Sequence, residues 1–235
     1  MGVTVLLTIL VIGVVSAALV AGAAWGAYGK LPTELEGFIV ALAGGALIVS
    51  AVLELIDPAT DVAPLWAVAA CVLAGAAAFS ALDRIVKKKF GSDSGGGLLA
   101  AITLDGIPEN LALGVALIGA GPLQVASLSG AIFLSNLPEA AGGAKQMVQG
   151  RSKPKVLGLW AATAALLSAA ALAGNLFLVG VPDAALGLIR SVAGGAVIAS
   201  LAIEVFPTAF KEDSYATGLA TALGVVLAIG LGQLG

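Results

Sequence analysis

The sequence of 235 residues contains no histidine and a single cysteine. Without histidine the chain has neither a serine–histidine pair nor an HExxH motif, and it carries no GxGD-like arrangement, so we expect no enzyme, including an intramembrane hydrolase. Cys71 stands alone in an apolar run, where a small core residue is a better interpretation than a reactive thiol. With so little sulfur we expect no soft-metal site. We also expect no resident cofactor.

Charged residues are also scarce, at 11% of the chain against 60% apolar residues. The mean hydropathy of +1.08 lies far outside the range of a soluble domain. The first apolar stretch lacks a basic segment before it and an obvious cleavage site before Trp25, which favours a retained span over a signal peptide. These features predict a multi-pass protein of the cell membrane, built as one polytopic domain over residues 1–235.

Turn-forming residues divide the chain into eight apolar segments, each about long enough to cross the hydrocarbon core as a helix. The breaks include Gly29–Pro32, Asp57–Pro58, Gly119–Pro122 and Val181–Pro182. The short connection around Gly121 predicts that the fourth and fifth spans form an antiparallel hairpin. The expected fold is an all-α integral membrane protein with spans at roughly 3–28, 34–57, 63–86, 96–119, 123–147, 155–179, 183–209 and 215–234.

Basic residues give this arrangement a direction, because Lys and Arg in short loops are retained on the cytoplasmic side. Ten of the eleven fall in or beside the odd-numbered loops, and Arg190 alone faces the other side. The pattern predicts both termini on the non-cytoplasmic side. It also explains the cluster Arg84–Lys89 by topology, so we expect no nucleic-acid partner. The ten residues are Lys30, Arg84, Lys87, Lys88, Lys89, Lys145, Arg151, Lys153, Lys155 and Lys211.

An internal repeat links the second and seventh predicted spans. The segment Gly44–Glu54 (GGALIVSAVLE) aligns without gaps with Gly194–Glu204 (GGAVIASLAIE), and two Gly, one Ala, one Ile, one Ser and one Glu coincide. Because the two spans run in opposite directions, we predict an inverted repeat of helices 1–3 and 6–8 around helices 4 and 5, as in many transporters. Close helix packing explains most glycines equally well, but it does not explain Glu54 and Glu204.

Polar residues interrupt the fourth and fifth spans in "LDGIPEN" (104–110) and "SNLPEA" (135–140). Asp105 and Glu109 are four residues apart and Asn136 and Glu139 three apart, so each pair shares a helix face. Counted from the turn near Gly121 at about 1.5 Å per residue, all four lie in a slab roughly 9 Å thick near mid-membrane. We therefore predict that their oxygens converge on one point.

Pro108 and Pro138 lie beside these acids and leave the carbonyls of Leu104 and Leu134 without a helical N–H donor. A kink and freed carbonyls beside carboxylates are features of cation sites in transporters. Three neighbouring carboxylates need a divalent cation or a bound proton to coexist. A structural hydrogen-bond network and a proton path without metal remain alternatives.

These motifs resemble those of the ZIP (Zrt-, Irt-like) family of divalent-metal transporters. "DGIPEN" is similar to that family's fourth-helix HNxPEG motif, and "SNLPEA" to its fifth-helix HExPHE or QDxPEG-like motif. The resemblance implies an eight-helix, homodimeric permease that moves zinc, iron or manganese into the cytoplasm. It also implies metal ligands at Asp105, Glu109, Asn136 and Glu139, with Ser135 as a weaker additional candidate.

The repeat segments resemble the family's second and seventh helices, which implies further candidate sites at Glu54, toward the outer mouth, and Glu204, toward the inner mouth. "LDR" (82–84) extends the resemblance to the third helix.

The chain departs from the family pattern at several positions. Asp105 replaces the motif His, Gly106 replaces the motif Asn, and "SAAALAGN" (168–175) lacks the glutamate often found in the sixth helix. The short "KKKFGSDSGGG" (87–97) stands in place of a His-rich loop. We therefore expect one all-oxygen site, suited to Mn²⁺, Fe²⁺, Mg²⁺ or Ca²⁺ and still open to Zn²⁺. A degenerate, non-transporting relative that binds metal or a partner subunit is the alternative.

Overall fold

A computed structural model describes residues 2–30, 32–90, 95–118, 125–212 and 214–233, and this part of the chain is helical without a strand. The all-α prediction is therefore confirmed. The predicted turn at 119–122 lies outside those residues, as do residues 91–94 of the segment 87–97.

Each predicted apolar segment coincides with a helical rod, and the ends agree within a few residues. Two of the rods, α2 and α7, are composite, with a π-helical stretch between two α-helical ones. The rods are α1 Gly2–Tyr28, α2 Thr33–Val62, α3 Leu65–Phe90, α4 Gly95–Ala116, α5 Ala126–Met147, α6 Lys153–Phe177, α7 Asp183–Glu212 and α8 Thr217–Gly232.

Five of these rods, namely α1, α2, α3, α6 and α7, are long and apolar enough over the described residues to cross a membrane, and α8 is a shorter apolar helix. Their outward faces carry exposed apolar side chains such as Leu10, Leu73, Leu166 and Val226. Long apolar helices with apolar outer surfaces are compatible with a multi-pass membrane protein.

The predicted break at Asp57–Pro58 is wrong, because α2 continues through it to Val62. The wider turn of the π-helical stretch Ala51–Ile56 precedes the proline, which occupies the second position of the last α-helical stretch. A missing N–H is tolerated at the start of a helical segment. In α7 the π-helical stretch Leu201–Val205 stands before Pro207 in the same way.

Glycines allow very close approach between particular pairs of helices. A Cβ at Gly45 of α2 would collide with the backbone of Thr221 in α8, and one at Gly195 of α7 with the backbone of Val72 in α3. In α1, Gly22 lies equally close to the backbone of Leu137 in α5. Such small residues are the usual means of packing membrane helices.

The helices pack as two groups. One group contains α1, α4, α5 and α6, and the other contains the pairs α2–α8 and α3–α7. Contacts of α2 with α5, and of α4 with α7, join the groups. The polar motifs on α4 and α5 therefore face the repeat segments of α2 and α7 across this boundary.

Candidate cation site

A cavity of about 550 Å³ lies between the two groups, among α2, α4, α5 and α7. Asp105, Glu139 and Glu204 line it, as do residues from the start of α2 and the ends of α5 and α7, including Glu36, Lys145, Lys211 and Glu212. We call this end of the bundle the basic end, because the ten basic residues of the odd-numbered loops belong to the helix ends and connections there. The cavity therefore joins the basic end to two of the four predicted ligands.

Asp105 is 5% exposed, and its Oδ1 accepts a hydrogen bond from the hydroxyl of Ser200 in α7. Among the described residues, the carboxylates of Glu109, Glu139, Glu204 and Asp83 act electrostatically on Asp105. A buried carboxylate surrounded by carboxylates is costly unless a cation or a proton compensates it.

Glu109 is 2% exposed, and its Oε1 has no hydrogen-bond donor among the described residues. The neighbouring Asn110 is fully buried and donates through Nδ2 to the carbonyl of Gly106 at 2.9 Å, whereas its Oδ1 is likewise without a donor. Buried acceptor oxygens without donors are uncommon in folded proteins. They are the type of atom that coordinates hard divalent cations.

On α5, Ser135 donates its hydroxyl hydrogen to Oε1 of Glu139. Asn136 instead turns toward α1, where its Nδ2 lies 3.3 Å from the carbonyl oxygen of Val15. Among the residues whose side chains are described, no three acids or cysteines form a ready-made metal cage. Asp105 and Glu139 thus share the cavity, while Glu109 and Asn136 are buried and do not line it, and the convergence of all four stays a prediction.

The two repeat glutamates occupy opposite sides of the site. An oxygen of Glu54 accepts the N–H of Leu128, in the first turn of α5, at 2.8 Å, and the hydroxyls of Ser50 and Ser127 lie 2.6 Å apart just beside it. These contacts close the boundary between the groups at the end away from the basic end. Glu204 lines the open cavity.

Lys87 of α3 connects Glu204 with Asp83, which lies one turn earlier on α3. Its Nζ is 2.6 Å from Oε1 of Glu204 and 3.1 Å from Oδ2 of Asp83. The side chain of Asp83 is 8% exposed and that of Lys87 is 36% exposed. This ion-pair network lies where the cavity approaches the basic end.

Four polar residues of the site were not predicted from the sequence, namely Asp83, Lys87, Asn110 and Ser200. Ser200 belongs to the repeat and matches Ser50, which was a usable signal. The basic cluster at the end of α3 was explained by topology alone, so the pairing of Lys87 with two carboxylates was not foreseen.

Gly106 packs against α6, since a Cβ there would collide with Cδ1 of Leu167. The position therefore supplies no ligand, and it has no room for a longer side chain unless Leu167 moves.

The described helices and their buried acids define the protein as an all-helical one with several candidate membrane spans. A scan against models of known protein families gives no match, and a search of the curated proteins gives none either.

Proposed function

We propose that this protein is a membrane permease for a divalent metal cation of the zinc, iron or manganese class, as its resemblance to the ZIP family implies. The observation that carries the proposal is a group of three carboxylates, the buried Asp105 and Glu109 and the partly buried Glu139, in which Glu109 and Glu139 both act electrostatically on Asp105. An uncompensated charge near the bilayer centre costs about 3 kcal/mol on insertion scales. A transported cation would supply the missing positive charge.

The cavity supports a route between this site and the cytoplasm. Its basic end is cytoplasmic by the positive-inside rule, and both termini then lie outside. The cavity lining includes the acids Glu36, Glu204 and Glu212, of which Glu36 pairs with Lys145 at 3.7 Å. Acids along a narrow passage raise the local concentration of cations.

Matching contacts support eight spans arranged as an inverted repeat. Gly44 of α2 faces Val205 and Phe206 of α7, while Gly194 of α7 faces Leu55 and Ile56 of α2. The next glycine of each repeat lies against the remaining partner helix, α8 or α3. Both copies also end in a π-helical stretch that carries the glutamate.

The same repeat supports alternating access by sliding of the group that contains α4 and α5. If Pro108 is aligned with Pro138, Asp105 corresponds to Ser135. Ser200 bonds Asp105, yet its repeat partner Ser50 bonds Ser127, eight residues before Ser135. The axial position of the serine contact therefore differs by about 12 Å between the two halves of the repeat.

If the Ser50 half adopts the arrangement of the Ser200 half, and the Ser200 half that of the Ser50 half, the protein reaches the opposite state of its transport cycle. The group containing α4 and α5 would move about 12 Å away from the basic end, closing the inner cavity and bringing Ser135 to Ser50. In this proposal the described arrangement is the inward-open state, with Glu54 closing the outer side.

Uptake into proteoliposomes tests the proposal directly. Purified protein is reconstituted, and influx of Mn²⁺, Fe²⁺, Zn²⁺ and Mg²⁺ is followed with a dye or a radiolabel against protein-free vesicles. We expect saturable uptake of at least one of these ions. A well-folded protein that moves none of them would contradict the permease and favour the non-transporting relative.

A further inference from the structure

We propose that Lys87 is a tethered competitor for the transported cation, which occupies the carboxylates of Asp83 and Glu204 and is displaced as the cation leaves. The inference rests on the proposed permease function. It assigns a role in cation release to a lysine that topology alone would place in the loop.

The geometry is that of a cation held between two helices. The ammonium group of Lys87 lies 2.6 Å from Oε1 of Glu204 and 3.1 Å from Oδ2 of Asp83. A cation therefore already occupies the position between these two carboxylates. Asp83 is 5% exposed, and both of these acids act electrostatically on Asp105. Glu204 lines the cavity, and both carboxylates lie within electrostatic reach of Asp105.

The chemistry of lysine makes this contact exchangeable. An ammonium group has three donors and no acceptor, so it cannot join a metal's ligand shell and must leave when a divalent cation binds the carboxylates. Two carboxylates from different helices also suit a divalent cation with oxygen ligands.

The flexible four-carbon stem lets the ammonium group withdraw and return without backbone movement. Partial exposure of the Lys87 side chain, at 36%, provides water into which it can withdraw.

The consequence for transport is a release step. A cation that passes from Asp105 to Glu204 displaces the ammonium group, and the return of that group expels the cation toward the basic end. Conduction requires sites that bind well enough to admit an ion and weakly enough to release it. Without Lys87 the two carboxylates would retain the cation.

Equilibrium Mn²⁺ binding to the purified full-length protein, measured by electron paramagnetic resonance, tests the inference. We expect Lys87→Met to bind one more equivalent of Mn²⁺ than the wild type. The added equivalent should disappear in Lys87→Met/Glu204→Gln and should be absent from Lys88→Met, which removes a neighbouring charge from the same helix end. Lys87→Arg keeps a cation in place and should resemble the wild type.

Uptake of Mn²⁺ by Lys87→Met should show a lower apparent KM, on the order of tenfold, with a slower maximal rate. An unchanged stoichiometry in Lys87→Met, or the same gain in Lys88→Met, would overturn the inference and leave the permease proposal intact. A wild type that binds no Mn²⁺ through Glu139 would count against the proposed function. In that case, an added equivalent of Mn²⁺ that Lys87→Met binds through Glu204 would still support the role of Lys87. Size-exclusion profiles of all variants establish that they are folded.

Discussion

The contact of Ser50 with Ser127 offers the sharpest test of how the two groups of helices move. Paired cysteines are introduced at positions 50 and 127, or at 50 and 135, after replacement of Cys71 by Ala. The hydroxyls of Ser50 and Ser127 are 2.6 Å apart, which brings the corresponding sulfurs within bonding reach. Ser135 lies about 12 Å further along α5, and a disulfide tolerates at most about 7 Å between Cα atoms.

The two pairs should therefore trap different states. We expect Ser50→Cys/Ser127→Cys to oxidise readily and to block cation uptake until a reductant is added. We expect Ser50→Cys/Ser135→Cys to oxidise only in molecules that have slid by about 12 Å, so its yield should be low at rest and should increase under turnover.

Crosslinking is read from gel mobility after oxidation with and without a cation gradient, and uptake is measured on the same vesicles. Each single-cysteine variant and each reduced double variant serves as a control for the site itself, because Ser135 also bonds Glu139. Full uptake by the crosslinked 50–127 protein would refute the sliding mechanism. So would a 50–135 pair that never forms in a protein that transports.

Two further predictions concern the site and the packing. Glu139→Gln should reduce saturable uptake to background because it removes a carboxylate of the site, whereas Ser135→Ala removes only its hydrogen-bond donor and should retain uptake within about tenfold. Gly195→Ala should lower the unfolding free energy by about 1–3 kcal/mol, because its Cβ would meet the backbone of Val72, whereas Gly218→Ala, with open space around it, should not.

Uptake kinetics in proteoliposomes check the first of these predictions, and thermal unfolding in detergent checks the second. Equal losses in Glu139→Gln and Ser135→Ala would contradict the assignment of Glu139 as a ligand and of Ser135 as its hydrogen-bond donor only. Equal stability of the two glycine variants would show that α3 and α7 are less closely packed than described.

The helices could be predicted from the sequence because their ends coincide with glycine, proline and charged residues between apolar runs. The predicted break at Asp57–Pro58 was wrong. A proline inside an apolar run predicts a break in the helix unless the preceding helical turn is a wider, π-helical one. The sequence has no local signal for such a π-helical turn. In α7, Pro207 likewise stands at the second position of an α-helical stretch that follows a π-helical one.

The site was only partly predictable for a different reason. Local spacing places Asp105 with Glu109 and Asn136 with Glu139, and the burial of the first three follows from the apolar runs around them. Whether Asn136 faces a ligand or α1 depends on the axial register between helices, which local spacing does not contain. The bond from Ser200 to Asp105 depends on the same register, across 95 residues of chain.

The apolar outer faces of the helices would make the proposed sliding motion depend on the lipid. Leu10 of α1 and Leu166 of α6 belong to the group that would move, and Leu73 of α3 and Val226 of α8 to the group that would stay. A shift of about 12 Å changes how these faces match a hydrocarbon layer about 30 Å thick. Mismatch costs fractions of a kcal/mol per Å, so even ~0.2 kcal/mol per Å amounts to ~2 kcal/mol over the full stroke. Bilayer thickness would then set the balance between the two states, and with it the rate of uptake.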